Sequence, residues 1–275
     1  MKIANILWQC ERKLVVFEED KFYPIDAQRE EDVFGSIQNI KKGRNPLPVT
    51  KDDIKWLPVV NAPSKIIGIG LNYLDHIVES HGRLPKSPII FAKYPNALIG
   101  HKDFIVWSRR VTEKVDYEAE LAVIIGKRAK SVTSDEAYEV IAGYTCANDV
   151  SARDLQFGDG QWTRGKSLDT FCPLGPYMVT RDEIKDPQNL SIRTILNGRI
   201  VQESNTSKMI FGIKDLIAFI SRHMTLFPGD VILTGTPAGV GAFRKPPRFL
   251  VDGDEIIISI ESIGDLINYC KMNEN

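Results

Sequence analysis

The chain has 275 residues, of which 43% are apolar and 26% are charged, and its net charge is −1. This composition predicts a folded protein with a large core and excludes a disordered chain. Because the chain has no excess of basic residues to bind a phosphate backbone, no nucleic-acid partner is expected.

Neither a signal peptide nor a membrane span is expected. Charged residues at 11–13 interrupt the short apolar stretch that follows Met1. No apolar run approaches the roughly 20 residues that a membrane helix needs. The four cysteines lie far apart, without a Cys-x-x-Cys pair. We therefore expect reduced thiols in a cytoplasmic protein, and neither a zinc site nor a disulfide framework.

The chain is predicted to divide into a small N-terminal domain, residues 1–60, and a main domain, residues 61–275. Short strands are predicted at 14–17 and 21–25, on either side of an acidic turn. A charged stretch with glycine and proline, residues 41–55, is typical of a connection.

The main domain is predicted to consist mostly of strands and loops, with strands at 65–69, 121–125, 231–233 and 255–260. Ser134 and Gly143 can begin and end one helix. A second helix is predicted over 211–222, where apolar residues recur at i, i+3, i+4 and i+7. Strands outnumber helices and their connections are short. We therefore predict a β-rich α+β fold, a roll rather than a doubly wound sheet.

Two acidic residues, Glu118 and Glu120, lead directly into the buried strand 121–125. Alternate residues of a strand share a face, and two buried like charges are costly unless a cation neutralises them. We propose Asp149 as a third ligand. An all-oxygen ligand set favours Mg²⁺ or Mn²⁺ and is also compatible with Ca²⁺. The alternative is that both glutamates lie on a solvated edge.

A candidate catalytic pair follows the first strand of the main domain. His76 and Glu79 are spaced i, i+3, so on a helix Glu79 could orient the imidazole, and the pair could activate water. The alternative is a surface histidine with a chance neighbour. Gly68 and Gly70 could suggest a dinucleotide-binding loop, but Tyr73 stands where that motif needs glycine, so this interpretation fails.

Two polar, glycine-containing loops are further candidates for function. In the first, residues 153–170, Lys166 could place an ammonium group beside a metal-bound oxyanion, or could simply be solvated. The second, residues 234–241, follows a strand and could bind a substrate carboxylate. It lacks the Gly-Lys-Ser/Thr ending of a Walker loop.

Five motifs, taken in order, resemble those of the fumarylacetoacetate hydrolase family, and together they span about residues 60–270. The motifs are Gly70-Leu71-Asn72-Tyr73 with His76 and Glu79, Asp116-Tyr117-Glu118-Ala119-Glu120-Leu121, the stretch 143–154, the stretch 165–171, and Pro228-Gly229-Asp230 through Thr234-Gly235-Thr236-Pro237.

The resemblance implies a mixed β-sandwich roll, a homodimer and a Mg²⁺ or Mn²⁺ site. The implied residues are Glu118, Glu120 and Asp149 as metal ligands, His76 and Glu79 as the water-activating pair, Lys166 as the cation beside the metal, and Gln156, Thr170 and Thr236 as substrate contacts. The segment that carries the catalytic pair is expected to order over the substrate.

The expected reaction is cleavage of a C–C bond in a small 2-oxo acid through a metal-stabilised enolate, either acylpyruvate hydrolysis or oxaloacetate decarboxylation. Some members of the family only tautomerise oxaloacetate. The alternatives are an isomerase or tautomerase of 2-hydroxy-2,4-diene diacids, and a non-catalytic binding protein with the same fold. Acylpyruvate-hydrolysing members often carry arginine where this chain has Leu71. Whether Arg153 or Arg164 replaces it stays open.

Overall fold

This computed structural model describes residues 1–27, 30–37 and 40–274. Within these residues the chain is rich in strands and has few helices, as predicted. The strands are β1 (Lys2–Trp8), β2 (Glu11–Glu18), β3 (Lys21–Pro24), β4 (Lys55–Trp56), β5 (Ile66–Gly70), β6 (Ile89–Lys93), β7 (Leu98–Ile99), β8 (Phe104–Ser108), β9 (Val115–Asp116), β10 (Ala119–Ile125), β11 (Ile141–Asn148), β12 (Ser151–Ala152), β13 (Cys172–Thr180), β14 (Ser191–Leu196), β15 (Arg199–Asn205), β16 (Val231–Leu233), β17 (Glu255–Ile260) and β18 (Gly264–Asn273). The helices are α1 (Glu30–Gly35), α2 (Leu74–Glu79), α3 (Arg153–Gly158), α4 (Trp162–Lys166) and α5 (Ile213–His223).

The larger sheet has the strand order β3-β2-β1-β13-β11-β10-β16-β5-β6, with β4 added beside β1 and β7 beside β13. The N-terminal strands belong to this sheet because β1 pairs antiparallel with β13, placing Lys2 opposite Val179. Strands from both sides of residue 60 belong to this one sheet. The domain boundary at residue 60 therefore stays a prediction.

A second sheet, in the order β15-β14-β17-β18-β8, packs against the larger one, with β17 and β14 against β10 and β18 against β13. Along β17, Ile256, Ile258 and Ile260 are buried and alternate with partly exposed residues, as expected of a strand with one face on a core. Every residue of β10 is buried, which explains the uninterrupted apolar run at 121–125. The fold class predicted from the sequence is therefore confirmed.

Helix α5 is the amphipathic helix predicted from the sequence, although it begins at Ile213 rather than at residue 211. Its four periodic apolar residues are all buried, so the stripe packs on the core. Within the residues that the structure describes, no helix combines the length and apolar character that crossing a membrane requires.

The other predicted helix, from Ser134 to Gly143, is wrong. The segment forms one 3₁₀ turn, Ala137–Val140, and then enters β11. Gly143 lies inside that strand, where an added Cβ would stand 2.3 Å from the carbonyl oxygen of Val179. This glycine allows close contact between neighbouring strands, and it does not end a helix.

Candidate active site and metal centre

The pairing of β10 with β11 brings together acidic residues that are far apart in the sequence. Ala119 lies opposite Asn148, so the residue before β10 and the residue after β11 become neighbours. The backbone N–H of Asp149 donates to the carbonyl of Glu118 at 3.0 Å. Glu118 lies immediately before β10, which begins at Ala119.

The three predicted metal ligands form one buried cluster. Glu118, Glu120 and Asp149 are 6%, 1% and 0% exposed, and each has a carboxylate oxygen within 4.8 Å of those of the other two. The glutamates therefore do not lie on a solvated edge, which was the alternative interpretation of the sequence.

Lys166, at the end of α4, bridges two of these carboxylates. Its Nζ donates to Glu118 Oε2 at 2.8 Å and to Asp149 Oδ2 at 2.6 Å, and it lies 5.0 Å from the centre of the Phe91 ring. Burial disfavours its charge, but Asp149 and Glu118 outweigh burial and raise the pKa of Lys166. The buried ammonium group therefore stays charged and is not a solvated surface lysine.

Two more cationic side chains, Arg153 and Lys93, form ion pairs with the cluster. The sequence motifs did not identify either as a partner of the carboxylates. Arg153 donates from Nη1 to Glu118 Oε1 at 2.6 Å and from Nε to Asp116 Oδ2 at 2.8 Å. Lys93 Nζ donates to Asp149 Oδ1 at 2.6 Å. A signal for this lysine exists in the sequence, since the alternation along β6 puts it on the same buried face as Phe91.

Glu120 is the least compensated member of the cluster. It accepts a hydrogen bond from the backbone N–H of Gly235 at 2.6 Å, but no ion pair to it occurs among the described residues. Burial, together with the charges of Asp149 and Glu118, raises its pKa well above the ordinary value. At Glu118, by contrast, burial is outweighed by Lys166 and Arg153, and the pKa is lowered.

These residues fit a hard divalent cation. With Asp116 included, the cluster holds four carboxylates against three cations, Lys93, Arg153 and Lys166, so one negative charge is left over in a buried place. A divalent ion would relieve the unmet charge at Glu120, and carboxylate oxygens are the ligands that such ions prefer. The identity of the metal stays a prediction.

The predicted catalytic pair lies on α2, which confirms the helical spacing assumed for it. His76 Nδ1 lies 3.4 Å from Glu79 Oε1, and neither atom has a hydrogen-bond partner among the described residues. The imidazole is buried and lies 5.8 Å from the ring of Phe243. His76 is therefore not a surface histidine with a chance neighbour. Pairs of this kind often shorten only when substrate binds.

His76 of the pair and Glu118 of the cluster line one cavity of about 60 Å³, together with Lys166 and Arg153. Gln156 and Thr236, two of the three predicted substrate contacts, line it. Thr170, the third, does not, and its hydroxyl is hydrogen-bonded to the backbone N–H and carbonyl of Val106. The lining residues are Ile69, Gly70, Leu71, His76, Phe91, Glu118, Arg153, Gln156, Phe157, Trp162, Lys166, Thr236 and Phe243.

The two arginines that could replace the arginine missing at Leu71 have different surroundings in the structure. Leu71 itself lines the cavity, at a φ of 52°. Arg153 also lines it, and its Nη2 is buried without a partner among the described residues. Arg164 is half-exposed and pairs with Asp159 at 2.7 Å. Of these two arginines, Arg153 is therefore the one that can offer a donor to a ligand in the cavity.

Two proteins are similar to this chain in sequence over most of its length. The mitochondrial oxaloacetate tautomerase Fahd2a of Rattus norvegicus is 49% identical over 221 residues, which cover 80% of this chain and 70% of that protein. An uncharacterized protein of Archaeoglobus fulgidus is 52% identical over 215 residues, 78% of this chain and 81% of its own.

Solved structures match over nearly the whole chain. A fumarylacetoacetate hydrolase from Exiguobacterium antarcticum superposes with a TM-score of 0.86 at 35% identity, covering 99% of this chain and 100% of that one. The 2-hydroxyhepta-2,4-diene-1,7-dioate isomerase from Mycobacterium marinum gives 0.85 at 36% identity, with 100% of both chains covered.

Residues 65–270 match the family model described as the C-terminal domain of fumarylacetoacetate hydrolase. This range contains the carboxylate cluster, its three cations, the histidine–glutamate pair and the cavity that His76, Glu118 and Lys166 line. The chain therefore belongs to the fumarylacetoacetate hydrolase family of enzymes.

Proposed function

We propose that this protein is a divalent-metal enzyme that interconverts the keto and enol forms of a small 2-oxo diacid, with oxaloacetate as the candidate substrate. One observation carries the proposal. His76, Lys166 and Glu118 line the same small cavity, so an acid–base group, a fixed cation and one carboxylate of the cluster would face one substrate. Relatives 48–49% identical that are named oxaloacetate tautomerases support the choice of substrate.

The reaction requires a proton to leave the carbon beside the 2-oxo group. The electron pair of that C–H bond then forms the C=C bond of the enol, and the former carbonyl oxygen takes up a proton. We assign removal of the carbon-bound proton to His76, held in place by Glu79. Lys166 provides positive charge where negative charge develops on the oxygen.

Recognition of the substrate carboxylates is assigned to Arg153 and to two uncharged side chains. The buried, unpartnered Nη2 of Arg153 is a donor suited to a carboxylate. Gln156 accepts from Arg153 at 2.9 Å, and the hydroxyl of Thr236 accepts from Gln202 at 2.9 Å, so both are held in place at the cavity wall.

Glu118, Glu120 and Asp149 are the residues that would hold the metal. A divalent ion bound there supplies Lewis-acid stabilisation of the developing enolate. Mg²⁺ and Mn²⁺ suit this oxygen set, and Ca²⁺ is the third candidate.

Cleavage of a C–C bond is the second candidate function, because the same enolate forms when oxaloacetate loses CO₂. In that reaction the bond to the departing carboxylate breaks and its electron pair forms the enolate. Hydrolysis of an acylpyruvate would further require His76 and Glu79 to activate water. The similarity to a solved fumarylacetoacetate hydrolase supports keeping this candidate.

Diene-diacid isomerisation and a purely binding role have less support. Isomerisation of a 2-hydroxy-2,4-diene diacid would use the same proton transfer, and the Mycobacterium marinum isomerase makes it a reasonable test substrate. In a non-catalytic binding protein, we would expect the buried ion pairs of Lys166 and Arg153 to be incomplete, whereas both are present.

The deciding experiment incubates the protein with oxaloacetate, acetylpyruvate, fumarylpyruvate or a 2-hydroxy-2,4-diene diacid, each with Mg²⁺ or Mn²⁺, and follows the products by NMR. We expect keto–enol exchange of oxaloacetate far above the metal-only rate. Pyruvate formed at the same rate would favour decarboxylation instead. Full activity after complete chelation of metals would contradict the metal assignment.

Substitution of the proposed base separates the two leading reactions. His76→Ala should reduce tautomerisation and hydrolysis by about 10²-fold or more, since both need a proton to be moved. It should reduce decarboxylation much less, because loss of CO₂ requires no base. Equal loss of all three activities would contradict this role. A homodimer and a cytoplasmic location also stay predictions, the first of them testable by analytical ultracentrifugation.

A further inference from the structure

The three carboxylates of the cluster share a pattern of hydrogen bonding. In each, one oxygen is occupied by a donor other than Lys166. The pairs are Glu118 Oε1 with Arg153 Nη1, Asp149 Oδ1 with Lys93 Nζ, and Glu120 Oε2 with the Gly235 backbone N–H. The remaining oxygens of Glu118 and Asp149 face a common point, because the single ammonium group of Lys166 reaches both.

We propose that Lys93 determines which metal this site accepts. Because Lys93 occupies Asp149 Oδ1, only Oδ2, which accepts from Lys166, remains for the metal. The site then selects the small, six-coordinate ions Mg²⁺ and Mn²⁺ against Ca²⁺. This inference rests on the metal site of the proposed function.

The selectivity follows from the ligand preferences of these ions. Ca²⁺ takes six to eight oxygens and often binds both oxygens of one carboxylate. Mg²⁺ needs near-octahedral geometry at shorter distances and retains several water molecules. Three carboxylates that each offer one oxygen supply half of an octahedron and leave positions for water and substrate, whereas Ca²⁺ would remain short of protein ligands.

Of the two side-chain donors in this pattern, Lys93 is the one that does not face the cavity. Its side chain is fully buried, donates to Asp149 Oδ1 at 2.6 Å and to the carbonyl of Val150 at 3.3 Å, and does not line the cavity. Arg153, in contrast, also faces the cavity and would contact substrate. Burying a lysine in an apolar strand is costly, and the ion pair with Asp149 offsets that cost.

The test compares the full-length protein with Lys93→Met and Lys93→Gln. Titrations with Mg²⁺, Mn²⁺ or Ca²⁺ alone are followed by calorimetry and by the metal-induced shift in melting temperature, without substrate. In Lys93→Met, the ratio of Ca²⁺ affinity to Mg²⁺ affinity should rise by about tenfold or more, since Asp149 can then bind through both oxygens. Lys93→Gln, whose amide can still donate, should give a smaller change.

Lys102→Met is the matched control, because Lys102 is a partly exposed lysine that pairs with an acidic residue, Asp52, away from the cluster. It should leave the affinity ratio unchanged. If the protein without substitutions binds Mg²⁺ but the ratio is the same in Lys93→Met, the inference on Lys93 is wrong and the metal site stands. If no divalent ion binds, both are wrong.

A second measurement needs no variant and applies even if Lys93→Met fails to fold. Infrared difference spectra of the carboxylate stretches distinguish binding through one oxygen from binding through two. On addition of Mg²⁺ to the unsubstituted protein we expect only one-oxygen bands. Two-oxygen bands from an aspartate, identified by isotope labelling of aspartate, would overturn the proposal.

Discussion

The backbone N–H of Gly239 donates to Glu79 Oε2 at 2.5 Å, which connects the predicted loop 234–241 to the proposed catalytic pair. The other oxygen of Glu79 faces the imidazole of His76. The same loop presents Thr236 to the cavity. One loop therefore positions both the proposed substrate contact, Thr236, and the glutamate proposed to orient His76.

Substitution of Gly239 should uncouple the loop from this pair. An added Cβ would stand 2.3 Å from the carbonyl oxygen of Val201, and the residue has a φ of +104°. Gly239→Ala must therefore shift the loop and release Glu79, and we expect the turnover number to fall by about tenfold or more. Steady-state kinetics on oxaloacetate is the measurement.

Gly198→Ala is the matched control for that variant. Gly198 also has a positive φ, +76°, but an added Cβ would meet nothing within 4 Å. It should lose a little stability, about 1 kcal/mol, and keep full activity. Equal activity in the two variants would show that the contact between Gly239 and Glu79 is dispensable.

Glu120→Gln should have opposite effects on stability with and without metal. The pKa of Glu120 is raised by burial and by its acidic neighbours, so its charge destabilises the metal-free protein. We expect the metal-free variant to melt at a higher temperature than the unsubstituted protein. Its affinity for Mg²⁺ or Mn²⁺ should fall by about 100-fold, which removes the metal-induced stabilisation.

Differential scanning fluorimetry with and without metal measures both effects of Glu120→Gln. Glu113→Gln, which removes an exposed carboxylate paired with Arg109, is the control and should change neither. An unchanged response of Glu120→Gln to metal would rule out this glutamate as a ligand.

Lys166→Met should separate catalysis from metal binding. The ammonium group occupies Glu118 Oε2 and Asp149 Oδ2, so it repels a cation that would use these oxygens. Its loss should raise divalent-metal affinity and should reduce turnover by roughly 10²- to 10³-fold, because the charge proposed to stabilise the enolate is gone. Calorimetry and kinetics on the same preparation measure the two effects. A fall in metal affinity would show that Lys166 supports the site rather than competes with the ion.

His101 should make the folded state sensitive to acid. Burial, with help from Lys102, lowers its pKa from 6.5 to about 4, and its Nδ1 accepts a hydrogen bond from the backbone N–H of Ile267 at 3.1 Å. Between these two pKa values the unfolded chain binds a proton that the folded chain does not. Stability is therefore complete above pH 6.5 and falls as the pH drops towards 4, by roughly 2 kcal/mol after allowance for partial exposure.

Urea unfolding at several pH values measures this dependence. His101→Gln should flatten the stability profile between pH 6.5 and 4, since no titrating ring remains at that position. His81→Gln, which removes an exposed histidine, should keep the slope. An unchanged slope in His101→Gln would assign the acid sensitivity to other groups.

The sequence patterns that predicted an element correctly are those in which the burial of residues follows a pattern within that single element. The 3.6-residue period of α5 and the uninterrupted apolar run of β10 both record burial against a core, so their type could be predicted. The helix predicted from Ser134 to Gly143 failed because capping residues are a local signal, whereas the pairing of β11 with β13 is a contact with a distant strand.

By itself, the sequence determined the residue types and order of a carboxylate site, and Glu118, Glu120 and Asp149 could be named from it. Only the tertiary structure decided what surrounds them. Lys93 lies on the apolar strand β6, and the fold places its side chain beside Asp149. The hydroxyl of Thr170 is hydrogen-bonded to the backbone of Val106 and does not line the cavity. The physical reason is that motifs record spacing along the chain, while charge compensation depends on which distant strands become neighbours.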